Sequence, residues 1–119
     1  MATMFTMEIE TGVDYEVTFI WKDADLTPID VRGYVGYAQI RKSPIKDVLL
    51  DISSFITTNH IKGEFGEIRV VIPAVATEAM DSLIGGAYDI KMVITDTKEV
   101  FNLISGAVNI KKTVTRIPL

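Results

Sequence analysis

Along residues 15–22 (YEVTFIWK) the side chains alternate, with Tyr15, Val17, Phe19 and Trp21 on one side and Glu16, Thr18 and Lys22 on the other. A two-residue period of this kind marks a half-buried β-strand. Residues 34–41 (YVGYAQIR) repeat it. The polar end of that run assigns Tyr34, Gly36, Ala38 and Ile40 to the inward side and Val35, Tyr37, Gln39 and Arg41 to the outward side. Small Gly36 and Ala38 leave room for a facing sheet to approach closely, or for a large ring such as Trp21. Residues 67–73 alternate again, with Ile68, Val70 and Ile72 inward, and so do residues 87–95, with Tyr88, Ile90, Met92 and Ile94 inward. Residues 48–56 (VLLDISSFI) read as one further strand, and residues 98–104 and 107–111 as the last, with a bulge or bend at Ser105-Gly106.

The intervening stretches carry turn chemistry. Residues 23–30 (DADLTPID) gather Asp, Thr and Pro, Ser43-Pro44 bends the chain, residues 57–66 are polar with two glycines, and Asp96-Thr97 closes a turn. Residues 73–83 alone break the strand habit. Thr77 is placed to cap a short helix, with Ala79, Met80 and Leu83 at helical spacing and Gly85-Gly86 as the stop. About seven to eight short strands with one helical turn predict an all-β, antiparallel two-sheet sandwich, immunoglobulin-like in plan. Antiparallel pairing follows from connections too short for a crossover. Trp21, Phe19, Tyr34 and Tyr88 are the expected large core side chains.

The chain's 119 residues suit one domain, read as a core over residues 13–111 with an extended tail over residues 112–119. A charged fraction of 24%, an apolar fraction of 48% and a mean hydropathy of +0.27 are those of a folded domain. A net charge of −4 supplies no positive field for nucleic acid or an anionic membrane, so neither is expected as a partner. Residues 1–10 hold no Lys or Arg and lack a secretory n-region, and no apolar run approaches the roughly 20 residues of a membrane-spanning helix. A soluble protein without an export signal is expected.

Candidate chemistry is sparse. With no cysteine and a single histidine, His60, in a polar loop, neither a thiolate nucleophile nor a zinc site can be assembled within one chain. Asp23, Asp25 and Thr27 alternate like the start of a calcium loop, but Pro28 stands where glycine is required and Tyr34 where the closing Glu should be. Turn formation is the expected role of that loop. Glu8 and Glu10 fall on one strand face, the wet one, and Glu64 and Glu67 lack a cleft that would separate their acidities. No phosphate-cradling glycine motif occurs. No cofactor, metal or catalytic residue is therefore assigned, and a hydrolase or isomerase working through carboxylate pairs has no further support. Lys111, Lys112 and Arg116 concentrate positive charge near the tail. The tail itself (TVTRIPL) is extended, β-branched and apolar at its end, which makes Thr113, Val114, Thr115, Arg116, Ile117 and Leu119 candidate protein-interaction residues, able to add a strand to a neighbour or dock on their own sheet.

The order of motifs, Y-x-V-x-F-x-W, then D-L-T-P-I-D, then R-G-Y-x-G-Y-A-Q-I-R, an I-x-V-x-I strand, G-G-A-Y-D-I-K and S-G-x-V-x-I with V-T-R, resembles small β-sandwich virion proteins of tailed bacteriophages. These include the immunoglobulin-like N-terminal modules of baseplate and receptor-binding proteins. The resemblance spans residues 15–116 and is carried best by residues 33–41, 88–91 and 105–110. It implies a non-enzymatic structural protein of the virion, assembled in the host cytoplasm. Such a protein acts as an adaptor or assembly module of tail, collar or baseplate, binds other virion structural proteins and forms a homo-oligomer in the particle. With the sandwich ending at Leu119 and no fibre shaft following, an adaptor is expected rather than a direct receptor binder. The alternatives are a capsid decoration protein and a carbohydrate- or host-receptor-binding sandwich, for which Tyr37 and Phe65 are the exposed candidates.

Overall fold

A computed structural model describes residues 3–58, 66–115 and 118, and its regular structure is mostly strand. In chain order these are β1 (Thr3–Met4), β2 (Met7–Glu10), β3 (Tyr15–Ile20), β4 (Tyr34–Arg41), β5 (Val48–Asp51), β6 (Ile56–Thr58), β7 (Glu67–Ile72), β8 (Leu83–Ile94) and β9 (Val100–Lys111). One sheet runs β1-β9-β8-β4-β5, with β2 following β1 along the same edge of β9; the second runs β3-β7-β6. The expected two-sheet architecture is present. The strand count is nine among the described residues, above the expected seven to eight, because β1, β2 and the division of residues 48–58 add pieces that alternation alone does not mark.

The pairing is not purely antiparallel. β1 and β2 lie parallel to β9, with Thr3 opposite Ile104 and Met7 opposite Val108. Short connections force antiparallel pairing only between neighbours in sequence. Here all the strands in between, in both sheets, serve as the crossover between the first strands and the last. The core accordingly starts earlier than residue 13, since Met7 and Ile9 are buried to 0% and 1% exposure.

Alternation places the inner faces as expected. Ala38 and Ile40, Ile68, Val70 and Ile72, and Tyr88, Ile90 and Met92 are all buried. The aromatic core is a correction. Tyr88 is buried, but Trp21, Phe19 and Tyr34 are only partly so, and the largest fully enclosed side chains are Met, Ile and Val. Trp21 instead sits edge-on to Tyr34 and Phe101, with centroids 5.4 and 5.6 Å away, at the margin of the core. Gly36 faces β6, where an added Cβ would lie 2.7 Å from Ile56 Cγ2, so its smallness serves the facing sheet and not Trp21.

Residues 48–56 divide rather than form one strand. β5 leaves the large sheet at Asp51, Ile52 is buried, a 3-10 turn follows over Ser53–Phe55, and β6 joins the other sheet. Ser53 makes the exchange tolerable. Its N–H donates to Asp51 Oδ1 at 2.9 Å, and its Oγ accepts from Ala38 N–H at 2.9 Å and donates to Ala38 O at 3.2 Å, replacing the ladder that β5 abandons. Hydrogen bonds from Ser53 hold the Asp51 carboxyl below its usual acidity range.

The helix is shorter than expected, Ala74–Glu78, and Thr77 does not cap it. Asp14 Oδ1 accepts from Ala74 N–H at 2.7 Å, a cap supplied from 60 residues away, while buried Thr77 donates its hydroxyl to Val13 O at 2.9 Å. Gly85-Gly86 lies inside β8, at a shift in register against β9 with Gly85 at φ +70°, and is not a helix stop. The other shift falls at Leu103, and Ser105-Gly106 is regular strand.

Two tyrosine hydroxyls, one on partly buried Tyr15 and one on buried Tyr88, set the behaviour at high pH. Burial, with Glu8 adding, pushes Tyr15 up to about 12, and burial, with Tyr15 adding, also raises Tyr88, whose hydroxyl donates to Phe5 O at 2.6 Å. Both are held neutral in the fold while the unfolded chain ionises near the ordinary value of 10.0. Above about pH 10 the unfolded state therefore binds fewer protons, and stability falls with rising pH. Urea midpoints are expected to be level up to about pH 9 and to drop between about pH 10 and 12, less steeply in Tyr88→Phe; a midpoint unchanged across that window contradicts the burial of these groups.

Candidate functional site

The register across β4, β8 and β9 sets the outward side chains of the large sheet in rows. Val35, Val93 and Val100 stand directly opposite one another. The next row is Tyr37, Lys91 and Asn102; then come Gln39, Asp89, Ser105 and Met4; then Arg41, Ala87 and Ala107. An antiparallel face turned to water is ordinarily polar at such positions. Here the exposed positions include Val35 (40%), Tyr37 (53%), Val100 (58%) and Met4 (72%), and the charged side chains are Lys91, Asp89 and Arg41. Arg41 lies down on the surface, donating from Nη2 to Gln39 Oε1 at 2.8 Å and from Nη1 to the carbonyl of Lys46. Beside it an open depression of about 560 Å³ is lined by Met4, Arg41, Pro44, Asp89, Lys91 and Ser105. A broad, partly apolar surface of this kind suits contact with another protein.

The tail residues singled out in the sequence divide. Thr113 is tied to the end of β2: its N–H donates to Thr11 Oγ1 at 3.0 Å and its Oγ1 donates to Thr11 O at 2.7 Å. Thr11 is itself 1% exposed, so this junction belongs to the fold. Val114, at 97% exposure, and Thr115 leave the surface; Arg116, Ile117 and Leu119 lie outside the described residues. Lys112 Nζ is 3.9 Å from Asp81 Oδ1. His60, Glu64 and Phe65 also lie outside the described residues. Asp23 is a turn former, its Oδ1 accepting from the N–H groups of Asp25 (2.9 Å) and Thr27 (3.0 Å). Glu8 and Glu10 are exposed beside buried Met7 and Ile9, the wet-face arrangement expected of them. Among the described residues no three His, Cys, Asp or Glu side chains are grouped to hold a metal, and no helix is long and apolar enough to cross a membrane.

The sequence places Val35 and Tyr37 on the outward side but does not show that Val93 and Val100 stand beside them. Three strands each carry an apolar residue at a polar position, and only the register joins them into a row.

No protein-family model matches the chain, and comparison with curated proteins finds none significantly similar to it.

Proposed function

We propose that the chain is a non-enzymatic structural protein of a tailed-bacteriophage virion, an adaptor or assembly module of tail, collar or baseplate that binds other virion proteins through the outer face of its large sheet. The observation that carries the reading is the cross-strand row of exposed Val35, half-buried Val93 and exposed Val100, with exposed Tyr37 beside it, apolar where a solvated face would be polar. The motif order over residues 15–116 supplies the virion context, together with an immunoglobulin-like plan for the sandwich, a homo-oligomer in the particle and assembly in the host cytoplasm. In the double variant Tyr37→Ala/Val100→Lys, neither side chain is part of the core, so stability is expected to change by no more than about 0.5 kcal/mol for each. Incorporation into particles, measured by quantitative immunoblot of purified virions, is expected to fall about tenfold or more. Normal incorporation of the folded variant contradicts the reading.

A second reading rests on Tyr37 alone. An aromatic ring 53% exposed, with Lys91 beside it and Asn102 one strand further on, offers a sugar both a stacking platform and polar partners. Glycan-array binding lost on Tyr37→Ala would favour a carbohydrate- or receptor-binding sandwich over the adaptor.

A further inference from the structure

At the end of the molecule from which the tail departs, a groove of about 290 Å³ opens between β5 and residues 76–83. Its walls include Leu49, Leu50, Ala76, Met80, Leu83 and Ile110, with Asp81 at the rim. One wall is an edge: among the described residues β5 is hydrogen-bonded to β4 alone, so its other side is open to an added strand. We propose that this groove receives the C-terminal segment, residues 114–119, of a second copy of the chain.

Three observations favour that occupant. In an extended segment Thr115, Ile117 and Leu119 share one side, so two large apolar groups face one way together and match the apolar walls. The segment's cation, Arg116, complements Asp81, whose side chain stands fully in solvent at the rim. The root of the tail and the groove are neighbours: Ile110 lines the groove, and Lys112 lies 3.9 Å from Asp81. A twofold axis near Asp81 therefore carries each tail onto its partner's groove in one reciprocal exchange. Within a single chain Thr113 is fastened to Thr11, and beyond it Val114, at 97% exposure, Thr115 and Pro118 are exposed and do not line the groove.

The test uses the purified full-length chain, so its result is independent of any placement in a virion. Sedimentation equilibrium is expected to show a reversible dimer. Ile117→Asp/Leu119→Asp removes two apolar groups from the junction and is expected to weaken it about 100-fold or more. Leu49→Arg, at a wall residue 53% exposed, is expected to do the same while leaving the melting curve in place. Mixing the two variants regains association, because a mixed pair keeps one intact groove with one intact tail. A chain that stays monomeric at every concentration, including one whose tail folds into its own groove, overturns the proposal. So does a dimer indifferent to both variants, or a mixture that fails to associate. Deleting residues 114–119 is expected to give a folded monomer, since the Thr113–Thr11 junction is retained.

Discussion

Gly106→Ala is expected to destabilise the protein by about 3 kcal/mol, although it adds only one methyl group to a strand. The added Cβ would stand 2.1 Å from Phe5 O and 2.9 Å from Phe5 C, and both atoms are backbone, so no side-chain rotation relieves the clash. Phe5 is where the chain passes from β1 to β2 along β9, with its N–H donating to Ser105 O at 3.0 Å and its carbonyl accepting from the Tyr88 hydroxyl at 2.6 Å. Moving Phe5 outward breaks both bonds and leaves a buried Tyr88 hydroxyl without its acceptor. Urea denaturation should show the loss as a lowered midpoint, and hydrogen exchange should locate the loosening in β1 and β2 before the rest of the sheet. An alanine variant within about 0.5 kcal/mol of the parent would mean that the chain between the first two strands does not press against this glycine of β9.

Ile90→Ala and Ile84→Ala should behave oppositely although both lie in β8. Ile90 is fully buried, directly opposite Ala38 on one side and Ile104 on the other, at the centre of the large sheet. Truncating it removes buried methyl groups and leaves a cavity between layers, at a cost of about 3–4 kcal/mol. Ile84 is 92% exposed where β8 shifts register, and its truncation should change stability by less than about 0.5 kcal/mol. Equal losses at the two positions, read from urea midpoints, would contradict the assignment of inner and outer faces along β8.

The contrast between these two isoleucines also shows how far the sequence could be read. Within a strand, the two-residue period tells inside from outside, which is why Ala38, Ile40, Ile68, Val70, Ile72, Ile90 and Met92 were all legible as core. Contacts between distant segments leave no such local mark. The parallel joining of β2 to β9, the Asp14 cap on the helix and the close approach of Phe5 to Gly106 each depend on residues far apart in sequence. The passage from β5 to β6 is intermediate: Asp51 and Ser53 carry turn chemistry, but continuous apolar residues on both sides conceal the change of sheet. The candidate interaction face was half visible for the same reason. Its outward positions follow from alternation, whereas the row of three valines exists only through the register of three strands.

The most direct test of the proposed adaptor role is imaging of the intact virion encoded with this chain, at a resolution that resolves side chains. The expected result is several copies of the sandwich with Val35, Tyr37, Val93 and Val100 covered by another virion protein. Particles that lack the protein, or that carry it with this face open to solvent in every copy, would contradict the role.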